Sequence, residues 1–267
     1  MALAKGITTR AADFAPFGIR SKPIGLIWYT IRERRLIELF VSLFYVLQSA
    51  IAAKRVASRE TGVGSYDEVF QHYALAGGGR LVARRNSVVE RADRLIAGEY
   101  GQPGARILYR TAAAEMLFDP YANDAGVWHI HAILPLADGR FLVATGDRKK
   151  YLDLMEIDAA GCRIHKRIER LCAGYTGMAR HGDDIWAGSD FSERANFIKK
   201  VGGSRKHFLP AACAKNYVIG IDSVDRSHLL VITRRLNSYA GYALLFDTIG
   251  QSFVAGNPIA IGEWTAL

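Results

Sequence analysis

The sequence predicts an all-β fold, a β-propeller with blades of about 45 residues, behind a helical or membrane-associating N-terminal segment. Three observations predict it. A unit of apolar strand, Asp-containing polar turn, second strand, loop and third strand recurs four times after residue 76. The first apolar residues after the turns, Leu95, Phe141, Ile185 and Leu229, are 46, 44 and 44 positions apart. The one long apolar run, Leu36 to Ala53 (LIELFVSLFYVLQSAIAA), lies outside the repeats and is rich in Leu and Ala, which favour helix.

The N-terminal region, 1–65, carries most of the charge. The chain's 267 residues hold 35 Lys and Arg against 26 Asp and Glu, a formal net charge of +9, and Met1 to Arg59 alone has 10 basic and 3 acidic residues. As a helix, Leu36 to Ala53 would be about 27 Å long, at the short edge of what crosses a bilayer. It is flanked by Arg34 and Arg35 on one side and Lys54 and Arg55 on the other. Three readings fit: a helix buried against the fold, a segment on a membrane surface, or a span. No secretory signal is read in the first twenty residues, which contain Lys5, Arg10, Asp13 and Arg20 without an apolar run. Three cysteines, Cys162, Cys172 and Cys213, form no CxxC pair, so the expected setting is reducing and cytoplasmic, with membrane association through Leu36 to Ala53 left open.

The repeat domain, 66–267, reads as four copies: Asn86 to Arg110, His129 to Asp158, Gly177 to Val201 and Tyr217 to Asp247. One such sheet cannot bury both faces alone and has to stack on its neighbours. Fourth strands are expected at Cys162 to Leu171 and at Tyr66 to Leu75, the latter before the first copy, and Asn257 to Trp264 reads as a further partial copy. An antiparallel sandwich is the competing architecture. Closure of the ring is not determined by the repeats.

Equivalent positions of successive blades surround one axis, so a repeated residue type forms a ring. Glu99, Asp147 and Asp190, read as following a strand-ending Gly in three copies, are candidates for such a ring, able to hold sugar hydroxyls or a divalent cation; no other cofactor is indicated. The plainer reading is that each acid caps its own turn. His129 and His131 alternate on one strand and share a face, the spacing of an acid–base pair or of metal ligands. With Asp147 they are the candidate catalytic residues; Glu99, Tyr100, Arg148 and Asp190 are the candidate ligand contacts. Gly77, Gly78, Gly79 and Arg80 lack a following Gly-Lys-Ser/Thr, and no Gly-x-Ser-x-Gly, HExxH or dinucleotide fingerprint is present. The repeat region is almost neutral, so no nucleic-acid partner is expected.

The segments GEYGQPGARILYR, HIHAILPLADGRFLVATGD and GSDFSERANFI, in this order, resemble the sialidase-like, BNR-type β-propeller proteins of bacteria, over roughly Tyr66 to Phe253. The resemblance implies a propeller scaffold with a link to carbohydrate. Ser223 to Ser227 is an imperfect echo of the Asp-box turn, and the arginine cluster and Tyr nucleophile of a sialidase match no positions. The expected function is non-catalytic binding of a carbohydrate or another polar ligand. The alternatives are a glycan-acting hydrolase or lyase using His129, His131 and a carboxylate, and a membrane-proximal protein-interaction scaffold.

Overall fold

The computed structural model describes residues 65–66, 70–101, 104–124, 126–146, 149–170, 174–192, 194–235 and 240–261. The segment Leu36 to Ala53 lies outside them, as do Asp147 and Arg148. Four sheets follow one another in a four-bladed propeller. A two-residue strand, β1 (Ser65–Tyr66), comes first. Blade 1 is β2 (Phe70–Ala74), β3 (Arg80–Arg91), β4 (Arg94–Glu99), β5 (Ile107–Arg110) and β6 (Glu115–Phe118). Blade 2 is β7 (His129–Pro135), β8 (Phe141–Gly146), β9 (Tyr151–Asp158) and β10 (Gly161–Arg170). Blade 3 is β11 (Tyr175–His181), β12 (Asp184–Ser189), β13 (Phe197–Lys200) and β14 (His207–Phe208). Blade 4 is β15 (Tyr217–Ser223), β16 (His228–Arg234), β17 (Ala240–Asp247) and β18 (Ser252–Ile261).

The four residues whose spacing marked the repeat all fall at the start of a second strand, in β4, β8, β12 and β16. Alternation of apolar residues along these strands supplies each sheet with two apolar faces. Blades 1 and 2 close over Ile96, Ile107, Ile130, Phe141 and Met155. Blades 2 and 3 share Leu142, Ala144, Leu152, Tyr175 and Phe197. Blades 3 and 4 share Trp186, Ile198, Val218, Leu229 and Phe246. The strand-ending glycines of the repeat have a packing reason: a Cβ on Gly98 would fall 2.4 Å from Ile130, and one on Gly188 would fall 2.2 Å from Val218, each on the inner strand of the next blade.

Two expectations are corrected. Asn257 to Trp264 is not a further copy, because Asn257–Ile261 continues β18, which pairs antiparallel with β17 as the last strand of blade 4. Tyr66 to Leu75 is not one strand: Ser65–Tyr66 pairs parallel with Ala260–Ile261 on the outer edge of blade 4, whereas Phe70–Ala74 pairs antiparallel with Arg80–Arg84 in blade 1. The ring is therefore fastened by an early strand laid on the last blade, which covers an edge otherwise open to pairing. Cys162 is half-buried and Cys213 buried, and burial pushes their thiols up to about 12 and about 11. Among the described residues no helix is long and apolar enough to cross a membrane.

Candidate functional site

The inner strands β7, β11 and β15 carry the same irregularity. Register slips by one residue at His131, Thr176 and Ile219, so these three occupy equivalent bulges at the axis. In blade 1 the corresponding break spans Arg84, Arg85, Asn86 and Ser87 opposite Gly98, an excess of three residues where the other blades have one. The longer excursion carries Asn86 across the axis. Its amide donates to the carbonyl of Thr176 in blade 3 at 2.5 Å and to that of Ile219 in blade 4 at 2.6 Å. The Thr176 hydroxyl donates in turn to the Val218 carbonyl.

The same registers place the candidate acids. Thr145, Ser189 and Thr233 pair with the residue just before each bulge, and Glu99 pairs with Ala83 in the matching position of blade 1. Asp190 is one step further on, level with Gly146 and Arg234. Glu99 and Asp190 are thus out of register by one residue and face opposite ways, which removes the expected ring of equivalent carboxylates. Glu99 is buried and accepts from Arg106 Nε at 2.7 Å, from its Nη2 at 2.6 Å and from its backbone N–H at 3.2 Å. Its carboxylate is occupied within its own blade, as the turn-capping reading anticipates.

Asp190 makes its partnerships across blades. His131 Nδ1 lies 3.3 Å from Asp190 Oδ2, and Lys150 Nζ lies 3.8 Å from Oδ1. Burial would push the Asp190 carboxyl up, but the hydrogen bond and charge of His131, with the charges of Lys150 and Arg84, outweigh it and hold the group at about 2. Two glycines make room. A Cβ on Gly146 would lie 1.9 Å from His131 Cε1, and one on Gly174 would lie 2.7 Å from both His131 Nδ1 and Asp190 Oδ2. Lys150, 21% exposed, forms the rim; Asp190, at 10%, and buried Arg84 lie beneath it, and both ring nitrogens of His131 are closed to solvent.

His129 does share a face with His131, their rings 5.8 Å apart and inclined by 18°. It is fully buried and accepts the Gly101 N–H at Nδ1 over 2.6 Å, which puts its own proton on Nε2. The Tyr100 ring stacks on it at 3.9 Å, and Arg84 lies 5.6 Å from the Tyr100 centroid. The structure therefore gathers His129, His131, Tyr100 and Asp190 at one end of the axis and adds Arg84 and Lys150, which the repeat pattern does not single out. Among the described residues, no group of three or more His, Cys, Asp or Glu side chains could hold a metal ion.

A groove of about 900 Å³ opens between blades 3 and 4, lined by turns at the other end of the strands, with Trp186 and His207 among its walls. Its polar groups are largely spoken for. His181 bridges Ser223 Oγ at 2.9 Å and Thr248 Oγ1 at 3.1 Å, and Lys200 pairs with Asp184 at 2.5 Å. Asp225, in the imperfect Asp-box echo, accepts from the Ser227 N–H and from His228 Nδ1, a turn-capping role.

No family profile and no curated protein matches the chain. Among solved structures, the β-propeller domain of Cps50 (Swd1) of Myceliophteria thermophila is similar, at 14% identity and a TM-score of 0.45, over 76% of this chain and 59% of that one. The chain thus spans less than two thirds of that domain's length.

Proposed function

We propose that this chain is a non-catalytic β-propeller that binds a polar, anionic ligand, an acidic carbohydrate being the class that fits, at the end of the axis where blades 1, 2 and 3 meet. The observation that carries the reading is the buried charge network behind the rim. Keeping Asp190 ionised away from water costs several kcal/mol unless it is paired, and three groups from two other blades converge to pair it. Such arrangements concentrate at functional sites. Lys150, 21% exposed and 3.8 Å from Asp190, is the cation that an anionic group of a ligand can reach at the rim. The closed ring nitrogens of His131 and the burial of His129 support binding rather than proton transfer, since an acid or base has to reach the substrate.

Titration of a uronate-containing oligosaccharide and of its neutral counterpart tests this. The acidic sugar is expected to bind more tightly, and Lys150→Ala to weaken it by about tenfold, equivalent to about 1.4 kcal/mol. Equal affinity for both sugars, or turnover that disappears in His131→Ala, would overturn the proposal.

A further inference from the structure

The groove between blades 3 and 4 is far from the axial charge network, and its walls come from the turns that join β11 to β12, β13 to β14, β15 to β16 and β17 to β18. These walls are tied together. His181 of blade 3 reaches both Ser223 and Thr248 of blade 4, and the Thr248 N–H donates to the Ser227 carbonyl at 2.7 Å. A cleft held in place beforehand binds without a cost for ordering its sides. Its charges are not all used. Asp184 pairs with Lys200, and Asp225 is held by the Ser227 N–H and His228. Among the described residues Arg205, Arg226 and Asp183 make no ion pair, so two positive charges stand against one negative, and all three side chains are exposed. Burial and the neighbouring Arg205 charge hold His207 below the ordinary histidine value, so the charge on that wall at neutral pH is the guanidinium. The rim is apolar in part. Val224, between Ser223 and Asp225, is 55% exposed, and Ile249, next to Thr248, is 80% exposed. Ile249 stands in a turn where its N–H donates to Asp247 Oδ1 at 2.8 Å, a position that polar residues ordinarily fill. A single exposed apolar side chain is ordinary, whereas two on adjoining turns beside a groove mark a contact surface.

The geometry points to this groove as a docking site for a peptide segment of a partner protein, one that sets carboxylates against Arg205 and Arg226 and an apolar side chain against Val224 and Ile249. Charge complementarity selects this occupant. A guanidinium without a partner pairs with a carboxylate through two parallel hydrogen bonds, and arginine and tryptophan are the side chains that protein interfaces favour. The groove supplies both, since Trp186 is among its walls with its ring 5.7 Å from His207 and 5.3 Å from Phe246. A volume of about 900 Å³ admits several side chains at once. Nucleic acid fits less well, because Asp183, Asp184 and Asp225 share the lining and would face an unbroken row of phosphates. A peptide can place its acids against the two arginines alone. The site is separate from the axial one and does not depend on what that one binds.

Selection from a random peptide library displayed on phage, against the full chain, tests the docking. The enriched peptides are expected to share acidic residues beside an apolar one. A synthetic peptide of the enriched sequence, titrated by fluorescence anisotropy, should lose about tenfold in affinity on Arg205→Ala or Arg226→Ala and should bind more weakly as salt is raised. Both arginines are exposed, so these changes leave the fold intact. Lys150→Ala, in the axial site, should leave the affinity unchanged. No enrichment, enriched sequences without acidic residues, or an affinity that both arginine variants retain would overturn the proposal. Two other occupants would overturn it as well. Dimerisation in sedimentation that Arg226→Ala abolishes would assign the groove to a second copy, and flotation of the full chain on anionic vesicles that Ile249→Ser abolishes would assign the rim to a membrane.

Discussion

Asp190 shows how the protein holds a charge out of water, and it sets a pH dependence. Its folded value of about 2 is below the ordinary 3.8, so it stabilises the fold fully above pH 4, and this contribution is lost as pH falls through 2. Asp190→Asn is expected to lower stability at neutral pH by about 2 kcal/mol and to flatten the acid limb between pH 4 and 2. Urea unfolding at several pH values reads both effects. Asp225, also at about 2, titrates in the same window, so the comparison with wild type isolates Asp190. Gly146→Ala should cost about 1–3 kcal/mol, because the new methyl occupies the place of the His131 ring and the pairing with Asp190 has to shift. At this scale the sequence was partly legible. His129 and His131 were visible because strand alternation alone aligns them. The partnership of His131 with Asp190 and Lys150 depends on a one-residue bulge and on register, which composition does not encode.

Elements differ in how clearly they announce themselves. Second strands are legible because each begins with an apolar residue after a polar turn, as Leu95, Phe141, Ile185 and Leu229 do. The three-residue excursion of β3 is not, since Arg84, Arg85 and Asn86 look like an ordinary polar interruption. Yet this excursion ties three blades together. Asn86→Ala should leave the Thr176 and Ile219 carbonyls without their donor and cost about 1–3 kcal/mol, read as a lower urea midpoint. Asn86→Asp should do at least as much harm, because a carboxylate facing two carbonyls cannot donate. Two-residue β1 has no periodicity to detect, so the fastening of the ring could not be read before the structure placed it.

At the scale of the molecule, packing among the described residues is unequal around the ring: three junctions have mixed clusters and one has faces that keep clusters of their own. A chain starting at residue 70 would lack β1 and leave the outer edge of β18 unpaired. It is expected to unfold at a lower temperature than the full chain and to self-associate at high concentration, which scanning calorimetry and sedimentation would detect. The parallel pairing of Ser65 with Ala260 also has a consequence for biosynthesis. On the ribosome, residue 65 emerges long before residue 260. At about 5–20 residues per second, Ser65 and Tyr66 wait roughly 10–40 s for their partner. Blades 1 to 3 can assemble during that interval, but the ring cannot lock until translation has passed Ile261, so a nascent product stalled earlier is left unlatched for quality-control proteases.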